Sequence, residues 1–303
     1  MLDVSEKPRT LRTASARARL HLHVETLARV HAGIIPKGNP LEVAKVAAVQ
    51  AAKQTSTIIP YCHPLPIDYV RVDYEFGEDW IDCIVLVKTT YRTGVEMEAM
   101  TAASVAVLTL YDMMKMLDAD MSIGSVTLEK KKGGKNDFRT FFSTPLHAAV
   151  LVMSDSISSG RKTDTSGRII VDRLVEEGVE VDEYRIIPDD REEIIRVLRS
   201  FADDSRLDLV MTTGGTGFSP RDCTPEAMAE VIDRPAPGIS EAARAYGQER
   251  TPYSMLSRAQ AGLRGETLIV NLPGSRKGVA DSLDALFPAL LHSFKMIRRG
   301  GHE

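Results

Sequence analysis

Apolar and polar positions follow two different rhythms along this chain, and the change falls near residue 145. Residues 1–19 are polar and basic with no sustained apolar period, which predicts a mobile arm. Helical spacing runs from about Val24 to Ala32, and Pro36-Lys-Gly-Asn-Pro40 reads as a loop. An Ala/Val-rich segment from Leu41 to Thr57 reads as a buried helix, stopped by Pro60 and by the Pro64/Pro66 pair. Strict alternation follows, with Val70, Val72, Tyr74 and Phe76 apolar and Arg71, Asp73 and Glu75 between them. Gly77-Glu-Asp79 turns the chain into a second strand at Trp80–Lys88. Thr93 to Leu117 is the longest helical stretch, and Met121–Glu129 returns as a strand. Helices mixed with an antiparallel hairpin predict an α+β unit.

Beyond a linker at about Lys130 to Leu146 the rhythm becomes strand, helix, strand, helix. Strands are expected at 148–154, 180–187, 207–213 and 267–272. Helices are expected at 165–177, 190–201, about 225–233, 238–248 and 277–298. Such alternation predicts an α/β doubly wound parallel sheet. The expected domains are residues 1–142 and 146–303. They differ in architecture and so are not a duplication.

Charge narrows the function classes. The net charge is −4, the first 140 residues carry 18 Lys+Arg against 17 Asp+Glu, and neither half has the basic excess of a nucleic-acid binder. No apolar run approaches the ~20 residues of a membrane span, and the first residues have no apolar signal core. The three cysteines, Cys62, Cys83 and Cys223, are too few and scattered for a zinc site or disulfide framework. A cytoplasmic protein without nucleic-acid or membrane partners is the expectation.

Ligands of open parallel sheets bind beyond the carboxyl ends of the strands. Here each strand runs into a polar loop: Ser154-Asp155-Ser156-Ile-Ser-Ser-Gly160, Ile187-Pro-Asp189-Asp190, Thr212-Thr213-Gly214-Gly215-Thr216-Gly217, and Asn271-Leu-Pro273-Gly274-Ser275. The three glycines let backbone N–H groups approach an anion. Asp222 is a candidate magnesium ligand, because hard cations prefer carboxylate oxygen. Thr224 is expected as N-cap and Pro225 as first residue of the following helix. A lone Gly-Gly-Thr-Gly is more often a turn than a phosphate cradle; its co-location with three other polar loops favours a site.

In the first half, Tyr61-Cys62-His63-Pro64 forms a proline-framed loop, and His63 is a ligand or acid–base candidate. Asp112 and Lys115 share a helix face at i and i+3, amid Tyr, Met and Leu. Either they form a surface ion pair, or a partly buried lysine works with the carboxylate in proton transfer. Thr93-Gly-Val-Glu96 fits a capping box, which would explain Glu96 but not Glu98. In a continuous helix Glu96 and Asp112 lie about 24 Å apart. They therefore serve different sites, or each site is built from two subunits; the second is expected. Lys37 and Lys53 sit in Gly/Pro-rich and Ala-rich segments, and Lys130-Lys-Lys-Gly-Gly-Lys135 is a solvated run or a flap that meets a polyphosphate.

The segments Met1-Leu-Asp-Val-Ser-Glu-Lys-Pro8, Ile59-Pro-Tyr-Cys-His-Pro-Leu-Pro66, Arg92-Thr-Gly-Val-Glu-Met-Glu-Ala99, Tyr111-Asp-Met-Met-Lys115 and Gly133-Gly-Lys135 closely resemble the MoaC family of cyclic pyranopterin monophosphate synthases. The resemblance covers residues 1–140. It implies a ferredoxin-like fold and conversion of a GTP-derived, 3′,8-cyclised nucleotide into cyclic pyranopterin monophosphate and diphosphate. It makes Asp112 the active-site carboxylate and Lys115 and Lys37 the essential lysines. Tyr61, Cys62, His63, Lys53, Glu96, Met97, Glu98 and Lys135 become substrate contacts. It also implies interfacial sites in a homo-oligomer, a hexamer or trimer of dimers, with no covalently bound cofactor. Tyr61 stands where leucine is common, and Lys132 and Asn136 replace serines of the glycine-lysine loop.

Residues 145–300 resemble the MogA/MoaB family, including G domains of gephyrin-like proteins. The matching pieces are Val152-Met-Ser-Asp-Ser156, Thr212-Thr-Gly-Gly-Thr-Gly217 with Pro220-Arg-Asp-Cys-Thr-Pro225, Pro237-Gly-Ile-Ser-Glu-Ala-Ala-Arg244, Met255-Leu-Ser-Arg-Ala259 and Asn271-Leu-Pro-Gly-Ser-Arg-Lys-Gly278. That resemblance implies adenylylation of molybdopterin with Mg2+ and ATP. Asp189 and Asp222 take the acidic catalytic positions; Asp155, Ser156, Thr213, Gly214, Gly215, Thr216, Gly217, Glu241, Pro273, Gly274 and Ser275 contact substrate. The alternative is a pterin-binding or oligomerisation module without catalysis. The implied reactions are not consecutive, since sulfur insertion lies between them, so the fusion suggests co-expression rather than channelling.

Overall fold

The computed structural model describes residues 1–299, and they divide into two compact units, Met1–Asp137 and a second that begins at Phe138. The first unit runs β1 (Thr10–His21), α1 (Val24–Ala32), α2 (Pro40–Ile58), β2 (Tyr69–Phe76), β3 (Trp80–Tyr91), α3 (Glu96–Met114) and β4 (Ser122–Lys132). The sheet has the order β2-β3-β1-β4 and all its pairings are antiparallel. This is the ferredoxin-like α+β arrangement.

The expected mobile arm is corrected: most of it is β1, an interior strand. Its buried positions are Ala14, Ala16, Ala18 and Leu20, and the alternating Thr13, Ser15, Arg17 and Arg19 face the other way. Alanine gives little hydrophobic contrast and little strand preference, so the period of two was hard to see. The alanines have a packing purpose. They share one core with Ala99, Ala102, Ala103 and Ala106 of α3 and Ala44, Ala48 and Ala52 of α2, and small side chains let helix and sheet approach closely. On the opposite face Asp82 is buried, held by Arg17 at 2.8 Å and Arg19 at 2.7 Å. Arg17 also pairs with Glu75 and Glu129, and Arg19 stacks on Trp80.

Two further expectations change. No side chain caps α3, whose N-cap is Val95, so the Thr93–Glu96 capping box does not form. Lys130, Lys131 and Lys132 belong to β4 and pair with Ser15, Ala14 and Thr13 of β1. Asp137 Oδ2 accepts the backbone N–H groups of Gly133 and Gly134. The basic run is therefore a strand end and a tied turn rather than a loose flap.

The second unit contains β5 (Leu146–Met153), α4 (Asp155–Ser158), α5 (Ser166–Glu176), β6 (Val179–Ile187), α6 (Arg191–Arg199), β7 (Leu209–Thr213), α7 (Thr224–Val231), β8 (Arg234–Pro235), α8 (Pro237–Gln248), β9 (Ala261–Arg264), β10 (Thr267–Leu272), α9 (Arg276–Leu286) and α10 (Ser293–Arg299). Its sheet order is β6-β5-β7-β10-β9-β8. The first four strands are parallel, whereas β9 and β8 add an antiparallel edge that the periodicity did not predict. Alternate residues feed two cores. Ala148, Val150 and Met211 pack with α5 and α9, and Ala149, Leu151 and Val210 pack with α6 and α7. The helix expected over 277–298 is broken after Leu286, where Phe287 is extended ahead of Pro288.

Close packing around the β1 alanines makes a volume prediction. Ala16→Leu should destabilise the first unit by about 1–3 kcal/mol through overpacking, read as a lower urea midpoint at unchanged slope. An unchanged midpoint would contradict the tight helix–sheet contact.

Candidate active sites

The α3 helix carries chemistry at both ends. At its C-terminal end Asp112 Oδ2 accepts from Lys37 Nζ at 2.9 Å, and Lys115 Nζ lies 2.8 Å from Oδ1. Lys37 also donates to the Asp112 carbonyl at 2.8 Å. Lys37 comes from the turn before α2, whose start is fixed by Asn39 accepting the N–H groups of Leu41 and Glu42. The expected burial is corrected: the three side chains are 36%, 57% and 55% exposed for Lys37, Asp112 and Lys115. Their electrostatics come from pairing. Lys115 and then Lys37 hold the Asp112 carboxyl down at about 2, and Asp112 pushes Lys115 up. The Asp112 carboxylate and the Lys115 ammonium each stabilise the other's charged form.

At the N-terminal end of α3, Tyr61, Cys62 and His63 from the loop after α2 meet Met97 and Glu98 around a cleft of about 550 Å3. His63 Nε2 lies 2.8 Å from the Leu2 carbonyl oxygen. Glu98 is buried, and burial followed by the charge of Glu96 raises its pKa. Burial, then Glu98, pushes up the Cys62 thiol.

Lys7, Thr93, Gly94 and Glu96 also line a second cleft of about 410 Å3, together with Arg12, Arg92, Lys131, Lys132 and Lys135. Lys131 lies 3.7 Å from Glu96. Arg12 is 8% exposed and donates to the carbonyls of Tyr91 and Arg92 at 3.4 Å each. Burial lowers its pKa, opposed by Glu96 and Asp137. Arg12, Arg92 and Lys131 were missed as individual site candidates. The signal was present: Arg12 occupies the inward register of β1, where a charge needs a reason. Lys53 is exposed on α2 and lines neither cleft. Because α3 is unbroken from Glu96 to Met114, Glu96 and Asp112 are separated by about 24 Å along it.

In the second unit the four strand-end loops converge. Gly214 N–H donates to the Leu272 carbonyl, and Thr213 Oγ1 donates to the Pro273 carbonyl at 2.6 Å. Ser166 donates to the Gly274 carbonyl, and Ser275 caps α9 through Gly278 N–H. Asp155 and Asp189 exchange backbone contacts, each carboxylate accepting the other residue's N–H at 3.1 Å. Gly214 has φ +108 and Gly215 φ +61; a Cβ on the first would collide with the Met153 carbonyl, and one on the second with Thr224 Oγ1. Glycine is required at both on backbone and space alike.

Asp222 is fixed by Ser219 N–H at 2.9 Å. Its loop is clamped by Arg258, which donates to the carbonyls of Gly217 and Asp222 and pairs with Glu226. Burial raises the Asp189 pKa, and the charges of Asp155 and Asp222 add to it. Arg221 pairs with Asp155. Carboxylates are hard oxygen donors of the kind Mg2+ takes, but among the described residues the cluster of three side chains close enough to share one ion is His147, Glu180 and Asp182, not these three.

Thr224 is not the N-cap. It is the first residue of α7, with no capping bond, and its buried Oγ1 has no hydrogen-bond partner. Ser156 lies beside Ser154 at 3.2 Å. Thr216 is buried, and its carbonyl accepts from Arg258 N–H. Among the described residues, Glu241 is exposed on α8 and makes no ion pair with this cluster.

Comparison with known proteins gives matches to both units. Residues 1–134 match the MoaC family, and residues 149–292 match the family described as "Probable molybdopterin binding domain". A molybdenum cofactor biosynthesis bifunctional protein of Chlorobaculum tepidum is 42% identical over 302 residues, covering 100% of this chain and 96% of that one. A cyclic pyranopterin monophosphate synthase of Brevibacillus brevis is 51% identical over 137 residues, covering 45% of this chain and 86% of that one. The crystal structure of the molybdopterin biosynthesis enzyme MoaB from Thermus thermophilus is 44% identical and covers 50% of this chain and 96% of that one, with TM-score 0.48.

The Lys37–Asp112–Lys115 geometry can be tested by titration. Removing one ammonium in Lys37→Gln should raise the Asp112 pKa from about 2 toward its ordinary value, observed by carboxyl-carbon NMR. A depressed folded-state pKa means the stabilising charge is present above the ordinary carboxylate value and lost as pH falls through about 2. An unshifted Asp112 in the variant would contradict the pairing.

Proposed function

The chain belongs to the family of bifunctional molybdenum cofactor biosynthesis proteins, and from that premise we propose that it catalyses two reactions on separate domains, 1–142 and 146–303. The first domain converts the 3′,8-cyclised GTP derivative to cyclic pyranopterin monophosphate and diphosphate. The carrying observation is the division of its polar residues between the two ends of α3. The basic cleft of Arg12, Arg92 and Lys131 suits the triphosphate and the developing charge of leaving diphosphate. With its carboxyl near 2, Asp112 is a weak base; its role is to hold Lys37 and Lys115 at fixed positions. Proton transfer falls to groups with readier exchange, of which buried Glu98, with its raised pKa, is the best placed.

Each site of this domain takes Lys37, Asp112 and Lys115 from one copy and the Tyr61–His63, Glu98 and Arg12 region from another. Two inactive variants, Asp112→Asn and His63→Ala, should therefore regain synthase turnover when co-assembled. Mixtures that stay inactive would contradict an interfacial site.

The second domain transfers AMP from ATP to molybdopterin. The terminal phosphate oxygen attacks the α-phosphorus, the bond to the β-phosphate oxygen breaks, and diphosphate leaves. The carrying observation is the convergence of Asp155, Asp189 and Asp222 beside Gly214–Gly217. Backbone N–H groups of the loop orient phosphate, and Asp189 and Asp222 would hold Mg2+. When bound, Mg2+ supplies charge neutralisation on the polyphosphate. Asp222→Ala should lower formation of adenylylated molybdopterin by at least about 100-fold, measured with purified full-length chain. Pterin binding with no adenylylation by the wild type would instead make this domain a binding module.

A further inference from the structure

Among the described residues, Arg221 is the one cation ion-paired with any of the three carboxylates Asp155, Asp189 and Asp222. Its guanidinium meets Asp155 at the end of β5, across from its own loop. The Arg221 side chain is 70% exposed, while that of Asp155 is 32% exposed. The backbone beneath it is held: Ser219 N–H binds Asp222, Asp222 N–H binds the Ser219 carbonyl, and Arg221 N–H binds Ser219 Oγ. The side chain can therefore change partners by rotation alone, with the loop left in place. An exposed ion pair of this kind is weak and readily exchanged.

Resting on the transferase reading, we propose that Arg221 is a shuttling cation: it pairs with Asp155 and passes to the nucleotide polyphosphate when Asp189 and Asp222 take up a divalent cation. The planar guanidinium can then bind phosphate oxygens in pairs, which an ammonium cannot do. The same arginine thus opposes metal binding before the nucleotide arrives and favours nucleotide binding afterwards. The two effects have opposite signs, and a side chain that merely props up the loop has no means of producing that.

The test uses the full-length chain, with Mn2+ alone and Mg-ATP as separate probes. An Asp189→Asn/Asp222→Asn double variant marks binding elsewhere on the chain. Arg221→Gln should bind Mn2+ about threefold more tightly than wild type, as loss of a weak competing pair allows. It should bind Mg-ATP at least about tenfold more weakly, as loss of a charged hydrogen bond to phosphate requires. Arg221→Lys should leave Mn2+ binding near wild type and restore only part of the nucleotide affinity. Parallel weakening of both ligands in Arg221→Gln, or unchanged Mn2+ affinity, overturns the exchange while leaving the transferase reading standing. A wild-type chain that binds neither probe beyond the double variant overturns both.

Discussion

The length of one rigid helix governs the chemistry of the first unit. From Glu96 to Met114, α3 runs unbroken over alanine-rich contacts with β1 and α2. Its ends cannot approach one another without unfolding the core. The lysine–carboxylate–lysine cluster is thereby fixed at one end, and the His63, Glu98 and Arg12 region at the other. Under the proposed function, a substrate of nucleotide size would meet both sets where two copies bring opposite ends together. The alanines of the core serve this separation, because close packing keeps the helix straight.

The second unit solves a different problem. A parallel sheet gathers four strand ends at one edge, so residues from Asp155 to Ser275 converge without a long spacer. The difficulty there is charge: three carboxylates crowd a glycine loop, and burial plus mutual repulsion raises the pKa of Asp189. Backbone N–H groups and Arg221 offset that repulsion within the chain. The Arg258 clamp on the Gly217 and Asp222 carbonyls fixes the loop that carries Asp222. If Arg221 exchanges partners as proposed, this is a rigid backbone with a movable counter-charge, the arrangement expected where charged ligands come and go.

What could be read from the sequence depended on whether the signal was local. The i,i+3 spacing placed Asp112 and Lys115 together, and both are found in contact. Lys37 lies 75 residues away and joins them only through the fold; no local pattern could show it, and only resemblance suggested it. The β1 strand was missed because its inward residues are alanines, and Arg12 was lost with it. The edge strands β8 and β9 are two and four residues long, too short for a period to register. The capping box at Thr93 failed because the N-cap of α3 is Val95, not Thr93. Pro288 was a local signal that the expectation of one helix over 277–298 passed over. The parallel order and the four polar strand ends were readable because alternation and glycine loops are local features.

If each site of the first unit is shared between copies, that unit works only as an assembly. Synthase turnover per chain, followed through a dilution series alongside the mass of the particles, tests it most directly. Turnover should disappear as single chains replace oligomers and return on reconcentration. Single chains that keep full turnover would contradict it, because one α3 would then be serving a complete site alone.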